Sequence, residues 1–220
     1  MDIQALVFDL DGTLIDSSQG ILDSLFKAMD AHGIKPAITK LDSHFFMGKN
    51  LDETLNVLMP GAKKDMLKKV GDDYVSHYYD NYMDKAVLFS GVADTIKKLH
   101  SDGYELAVAT AKHTYCAEAE LTTSGIRKYF KTVRGIDAGV PSKPDPKLLF
   151  DICLTLGVAP ENTMMVGDTD RDVLFGKNAG CYTCAVTYGN WSKEKFLREN
   201  IIPDFFVDDA REILSLFPSR

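Results

Sequence analysis

Ile3, Ala5, Leu6, Val7 and Phe8 form a nearly unbroken apolar run that ends in Asp9-Leu10-Asp11-Gly12-Thr13-Leu14. A run that is apolar at successive positions has no polar face to turn to solvent. It predicts a short strand buried on both sides, the condition of a strand inside a parallel sheet. The two carboxylates stand two residues apart where that strand meets Gly12. They therefore fall at the carboxyl end of a strand, where open α/β sheets keep their ligands. Two acids this close repel each other unless a positive charge stands nearby, so the pair points to a bound cation. Asp and Gly are also common turn residues, and a solvated strand-to-turn junction is the other reading of these six residues taken alone.

The rest of the chain changes grammar once. Residues 16–32 read as a helix with Ile21, Leu22, Leu25, Phe26 and Met29 on one face, ended by Gly33 and Pro36. The pattern stays helical over 39–85, with breaks near Gly48 and at Pro60-Gly61. Tyr74, Tyr78 and Tyr82 recur every fourth residue, a stripe read as helix packing in preference to a ligand face. From residue 86 strands and helices alternate. Strands are expected over 104–110, 130–133, 163–166, 182–187 and 205–207, and helices over 91–101, 114–124, 146–156, 170–178 and 210–216. That alternation predicts an α/β fold, a doubly wound parallel sheet covered on both faces. Residues 17–85 interrupt it as an all-helical insertion, leaving 1–16 and 86–220 as the α/β core.

At 220 residues the chain has ample length for a buried core. Its net charge of −7 argues against nonspecific affinity for nucleic acid or for anionic membranes. No apolar run reaches the roughly 20 residues that span a bilayer, and the first residues do not read as a secretory signal, so a cytoplasmic location is expected. Cys181-Tyr182-Thr183-Cys184 has the spacing of a metal or redox pair. It lies in a predicted strand, however, which points the two thiols to opposite faces.

Three further groups fall at strand ends or just beyond them. Thr110 closes the strand 104–110 and offers a hydroxyl to an anion. Lys143 sits in the proline-stiffened loop Ser142-Lys143-Pro144-Asp145-Pro146 ahead of a helix. Gly167-Asp168-Thr169-Asp170-Arg171-Asp172 follows the strand 163–166 and opens another helix. Acids at a helix start can serve as caps, but three carboxylates in five residues exceed what capping requires.

Taken in this order, Asp9–Leu14, Thr110, Lys143 and Gly167–Asp172 resemble the four motifs of the haloacid dehalogenase-like hydrolases. The resemblance covers essentially the whole chain, because residues 17–85 match that family's helical cap in position and size. Asn178-Ala179-Gly180 and the segment 186–189 also look like the family, and within it the likeness is to phosphoglycolate phosphatase-like members. It implies a Rossmann-like core in which the strands leading to Asp9, Thr110 and Asp168 lie side by side. It also implies a phosphatase that forms an aspartyl-phosphate, with Asp9 as nucleophile and Asp11 as the acid and base. One Mg²⁺ would be held by the carboxylates of Asp9 and Asp168 and the backbone carbonyl of Asp11. Thr110 and Lys143 would bind the phosphoryl oxygens, and Asp172 would act from behind, through water or by orienting Lys143.

The expected partner is a small phosphorylated metabolite, a phosphoglycolate-like monoester. Inorganic pyrophosphatase and sugar-phosphate phosphatase or phosphomutase are the alternatives within the superfamily. Residues 17–85 contain no Arg, the first being Arg127, and Ile21 stands where the phosphomutases carry His; both weigh against a mutase. Lys49, in the break Phe46-Met47-Gly48-Lys49-Asn50, reads equally as a cation for an anionic substrate group and as a solvated lysine at a helix start. His113 is a candidate pocket residue without a chemical role.

Overall fold

In the computed structural model the described residues are 2–35, 49–82, 85, 87–137 and 139–217. The apolar run forms strand β1 (Ala5–Phe8), every residue of which is buried. It lies at the centre of a six-stranded parallel sheet with β4 (Glu105–Ala109) on one side and β6 (Thr163–Gly167) on the other. Beyond these lie β5 (Thr132–Arg134) outside β4, then β7 (Tyr182–Val186) and β8 (Phe205–Val207) outside β6, giving the order β5-β4-β1-β6-β7-β8. The pleat sorts the side chains of β1 to two cores. Leu6 and Phe8 pack on one face with Leu106, Val108, Met164 and Val166. Ala5 and Val7 pack on the other with Ala107, Ala109 and Met165.

Helices α4 (Val92–Ser101) and α5 (Thr114–Thr123) supply Ile96, Leu99, Ala117 and Leu121 to the first core. Helices α6 (Lys147–Leu156) and α7 (Asp170–Ala179) supply Leu149, Ile152 and Phe175 to the second. The sheet is thus doubly wound, as the strand–helix alternation predicts. Cys181 and Cys184 fall in opposite cores, so the CxxC spacing brings no thiol pair together.

Between β1 and α4 the chain forms two short strands, β2 (Ile15–Asp16) and β3 (Val87–Leu88), which pair antiparallel. Among the described residues they carry the chain out to three helices and back at one place. These are α1 (Ser18–Ala31), α2 (Leu51–Leu58) and α3 (Lys64–Tyr82), which bury Leu25, Met29, Leu55, Leu58 and Val70 in a core of their own. Phe26, placed by periodicity on the packed face of α1, is 38% exposed. The sequence reading of residues 36–48, including Pro36 and the break at Gly48, lies outside the described residues.

Three features differ from the sequence expectation. Residues Ala210–Leu216 form a 3-10 helix, not an α-helix. Ala210 and Ile213 are buried in the core there, and Leu214 and Leu216 pack against it. An additional helix, α8 (Lys193–Arg198), is started by Ser192, whose hydroxyl accepts from the Lys195 amide. The tyrosine stripe does pack, with Tyr78 lying 6.1 and 6.0 Å from the rings of Tyr74 and Tyr82. Yet Tyr74 and Tyr78 also line a cavity shared with Asp9 and Asp11, so packing and ligand face are not exclusive here.

Candidate active site

Because β4, β1 and β6 are neighbours, the residues after them converge at one edge of the sheet. Asp9 follows β1, Thr110 follows β4 and Asp168 follows β6. The Asp9 amide donates to the Val166 carbonyl at 2.8 Å, which fixes where the carboxylate emerges. Its Oδ1 accepts from Lys143 Nζ at 2.9 Å, and the same ammonium donates to Asp172 Oδ1 at 2.7 Å. The other oxygen of Asp172 accepts from the amide and hydroxyl of Thr169, at the start of α7. Asp172 is therefore committed to Lys143 and to the helix start.

Asp168 is held on both oxygens. Oδ1 accepts from Thr13 Oγ1 at 3.2 Å, and Oδ2 accepts from the amide and the side-chain Nδ2 of Asn190 at 2.8 and 2.6 Å. This close packing explains Gly12, whose φ is +87°. A Cβ there would lie 2.2 Å from Asn190 Nδ2 and 2.3 Å from Asp168 Oδ2, so only glycine fits the turn.

Asp9, Asp168 and Asp172 present ligand atoms within 4.8 Å of one another, all three residues buried. Burial pushes the Asp9 carboxyl well above the usual carboxylate range against the pull of Lys143. Burial, then the charge of Asp172, pushes Asp168 up to about 7. Burial alone would lower Lys143, but Asp172 and Asp9 raise it, so it stays cationic. Three carboxylates thus cluster where one ammonium pairs with two of them. The donor set is all hard oxygen, and its excess of negative charge matches a divalent cation such as Mg²⁺.

The Asp11 carboxylate belongs to a different group. Its Oδ1 accepts from Ser17 Oγ and from Lys112 Nζ, the latter at 2.8 Å. Lys112 also contacts both oxygens of Glu120, a fully buried residue of α5, at 2.7 and 2.8 Å. Two residues apart in sequence, Asp9 and Asp11 therefore sit in separate electrostatic surroundings.

A cavity of about 380 Å³ opens above this edge. Asp9, Asp11 and Thr110 line its floor. Ile21 and Leu25 of α1 and Tyr74 and Tyr78 of α3 form an apolar wall, and Lys49, Asn50 and His113 also line it. The start of α2 is tied to the core at two points: Asn50 Nδ2 donates to Ser142 Oγ at 2.9 Å, and Arg171 Nη2 lies 2.7 Å from Glu53 Oε2. Thr110 itself is buried, its Oγ1 accepting from the Lys112 amide at 3.2 Å. Lys49 is half-buried, and burial followed by the charge of Arg171 lowers its pKa.

The structure thus gathers Asp9, Lys143, Asp168 and Asp172 into one cluster, sets Asp11 beside it with other partners, and places Thr110 and Lys49 on the cavity. Sequence reasoning did not single out Thr13, Asn190, Lys112, Glu120 or Tyr78 for the site. Asn190 follows directly on the segment 186–189 and carries no signal of its own along the chain.

Residues 6–186 match the haloacid dehalogenase-like hydrolase family, and the chain belongs to that family. A Clostridium perfringens protein named for pyrophosphatase PpaX is 35% identical over 97% of both chains. A Vibrio parahaemolyticus protein named phosphoglycolate phosphatase is 30% identical over 98% of this chain and 96% of its own. Among solved structures, a haloacid dehalogenase-like family hydrolase from Streptococcus pneumoniae superposes with a TM-score of 0.85 at 29% identity, covering 99% of each chain.

Proposed function

We propose that this protein is a Mg²⁺-dependent phosphatase that hydrolyses a small phosphomonoester through an aspartyl-phosphate on Asp9. The observation that carries the reading is the separation of the two strand-end carboxylates. Asp9 lies in the cluster with Lys143, Asp168 and Asp172, whereas Asp11 turns its side chain to Ser17 and Lys112. A nucleophile must stand beside the groups that hold the phosphoryl group, and a proton carrier must keep its carboxyl apart from the nucleophile's own partners.

In this reading the carboxylates of Asp9 and Asp168 and the backbone carbonyl of Asp11 hold the cation. When bound, Mg²⁺ supplies charge neutralisation at the phosphoryl oxygens. Asp9 attacks phosphorus in line with the leaving oxygen, and Lys143 and Thr110 hold the other phosphoryl oxygens. Asp11 gives a proton to the departing oxygen and then takes one from the water that hydrolyses the acyl phosphate. Asp172 keeps Lys143 in place. Residues 17–85 act as a lid that excludes water above a core of 1–16 and 86–220, and Lys49 on the cavity meets an anionic group of the substrate.

For the substrate, phosphoglycolate is the first candidate, supported by the name of the 30% identical Vibrio relative. Inorganic pyrophosphate is the second, supported by the PpaX name of the 35% identical relative. Phosphate release from both, measured with Mg²⁺ and with a chelator, tests the reading. Turnover of either that requires Mg²⁺ supports it. Equal turnover in the chelator would remove the metal from it.

A further inference from the structure

Lys112 follows Thr110 by two residues, yet its ammonium does not join the cluster around Asp9. Its side chain is 11% exposed. The ammonium lies 2.8 Å from Asp11 Oδ1, 2.7 Å from Glu120 Oε1 and 3.3 Å from the hydroxyl of Tyr78, over whose ring it sits at 4.7 Å. The hydroxyl of Tyr78 in turn donates to Glu120 Oε1 at 2.8 Å. An ammonium has three donors, so Asp11, Glu120 and Tyr78 fix its direction completely.

A buried Lys–Glu pair contributes little net stability compared with apolar side chains of the same size, because both charges lose their water. Packing therefore does not explain why the pair is there. Two features point instead to Asp11. Glu120 balances the charge of Lys112, so the ammonium reaches Asp11 as a directed hydrogen bond with little net charge behind it. The two hydrogen bonds described for Asp11's carboxylate, from Ser17 and from Lys112, also converge on Oδ1. They fix the rotation of the carboxylate and leave Oδ2 as the oxygen for exchange with substrate.

We propose that Lys112, held by Glu120 and by Tyr78 of α3, is a positioning residue for proton transfer, fixing Asp11 through Oδ1 so that Oδ2 serves the leaving oxygen. As the P–O bond breaks, its electron pair goes to the leaving oxygen and the proton of Asp11 follows it, leaving Asp11 as a carboxylate bonded to Lys112. The inference rests on the reading of Asp11 as the acid.

Phenyl phosphate and p-nitrophenyl phosphate separate the possibilities, because they are alike in shape and differ in how much the leaving oxygen needs a proton. Phenol is about as basic as tyrosine, with a pKa of about 10, and nitrophenol is far more acidic. Lys112→Met alone would strand Glu120 as a buried charge, so the variant to read is Lys112→Met combined with Glu120→Gln. Its kcat/KM for phenyl phosphate is expected to fall about tenfold to a hundredfold, within the range of general acid catalysis, and that for p-nitrophenyl phosphate by much less. Equal losses on the two esters, or none, would overturn the proposal. Asp11→Asn, measured in parallel, should show the same split more strongly. If Asp11→Asn shows the split and the double variant does not, the positioning role alone is wrong. If Asp11→Asn shows no split, the acid role of Asp11 falls, and this inference with it.

Discussion

Asp9 and Lys143 are 134 residues apart in the chain and 2.9 Å apart in the fold, joined through a carboxylate oxygen and an ammonium that are both buried. The pairing brings a loop before α6 against the end of the central strand. Asp172 receives the same ammonium at 2.7 Å, so one lysine holds two of the three clustered carboxylates. The cluster is thereby assembled around an ammonium already in place.

Replacing Lys143 with Met should cost more stability than an ordinary surface lysine. Asp9 and Asp172 would remain buried without their cation, and breaking a buried pair costs about 3–5 kcal/mol. Denaturant unfolding of the metal-free protein checks this. A loss below about 1 kcal/mol, the scale of an exposed pair, would mean that water reaches the cluster freely.

Asn190→Ala should weaken metal binding while leaving the chemistry intact once metal is saturating. Asp168 would lose the 2.6 Å bond from Nδ2 and keep the one from the backbone amide. Removing such a support behind a ligand costs about tenfold to a hundredfold in metal affinity. Titration of activity with Mg²⁺ should show a raised half-saturation point and a maximal rate near that of the wild type. An unchanged half-saturation point would separate Asp168 from the metal.

The stability of the metal-free protein should depend on pH in a stated direction. Asp168 titrates at about 7 in the fold, against an ordinary value of 3.8, because it is buried and faces Asp172. An acid that holds its proton more tightly folded than unfolded stabilises the fold fully below the ordinary value. It loses that contribution as pH rises through about 7. In a chelator the thermal midpoint should therefore fall between about pH 5 and about pH 8. Because metal competes with that proton, the gain in midpoint on adding Mg²⁺ should be larger at about pH 8 than at about pH 6. Equal gains at the two values would contradict this.

Much of this molecule is legible in the sequence because its signals are local. The buried strand before Asp9, the proline-stiffened loop at Lys143 and the carboxylates opening α7 each declare themselves within six residues. The alternation that surrounds them gives the parallel sheet, and the family resemblance gives the adjacency of the three strands that carry the site. What the sequence hides are the supports that meet only in three dimensions. Lys112 contacts Asp11 across 101 residues, Tyr78 reaches Glu120 across 42, and Thr13 reaches Asp168 across 155. Tyr78 looks like packing in a periodic pattern because it is packing; that its hydroxyl ends on a buried glutamate has no signature along the chain. The 3-10 turn at Ala210–Leu216 was hidden for a different reason, since its four apolar residues, Ala210, Ile213, Leu214 and Leu216, fit a period of 3.6 as well as one of three.

The nucleophile is the centre of the account. Asp9→Asn keeps the shape of the side chain and removes its negative charge, so turnover should fall by more than about a thousandfold while the fold persists. The most direct measurement is chemical: the wild-type enzyme is quenched during turnover, treated with borohydride to reduce any acyl phosphate to the corresponding alcohol, and mapped by peptide mass spectrometry. The account predicts that Asp9, and no other residue, is converted to homoserine. Modification at another residue, or none in enzyme trapped at full turnover, would contradict it.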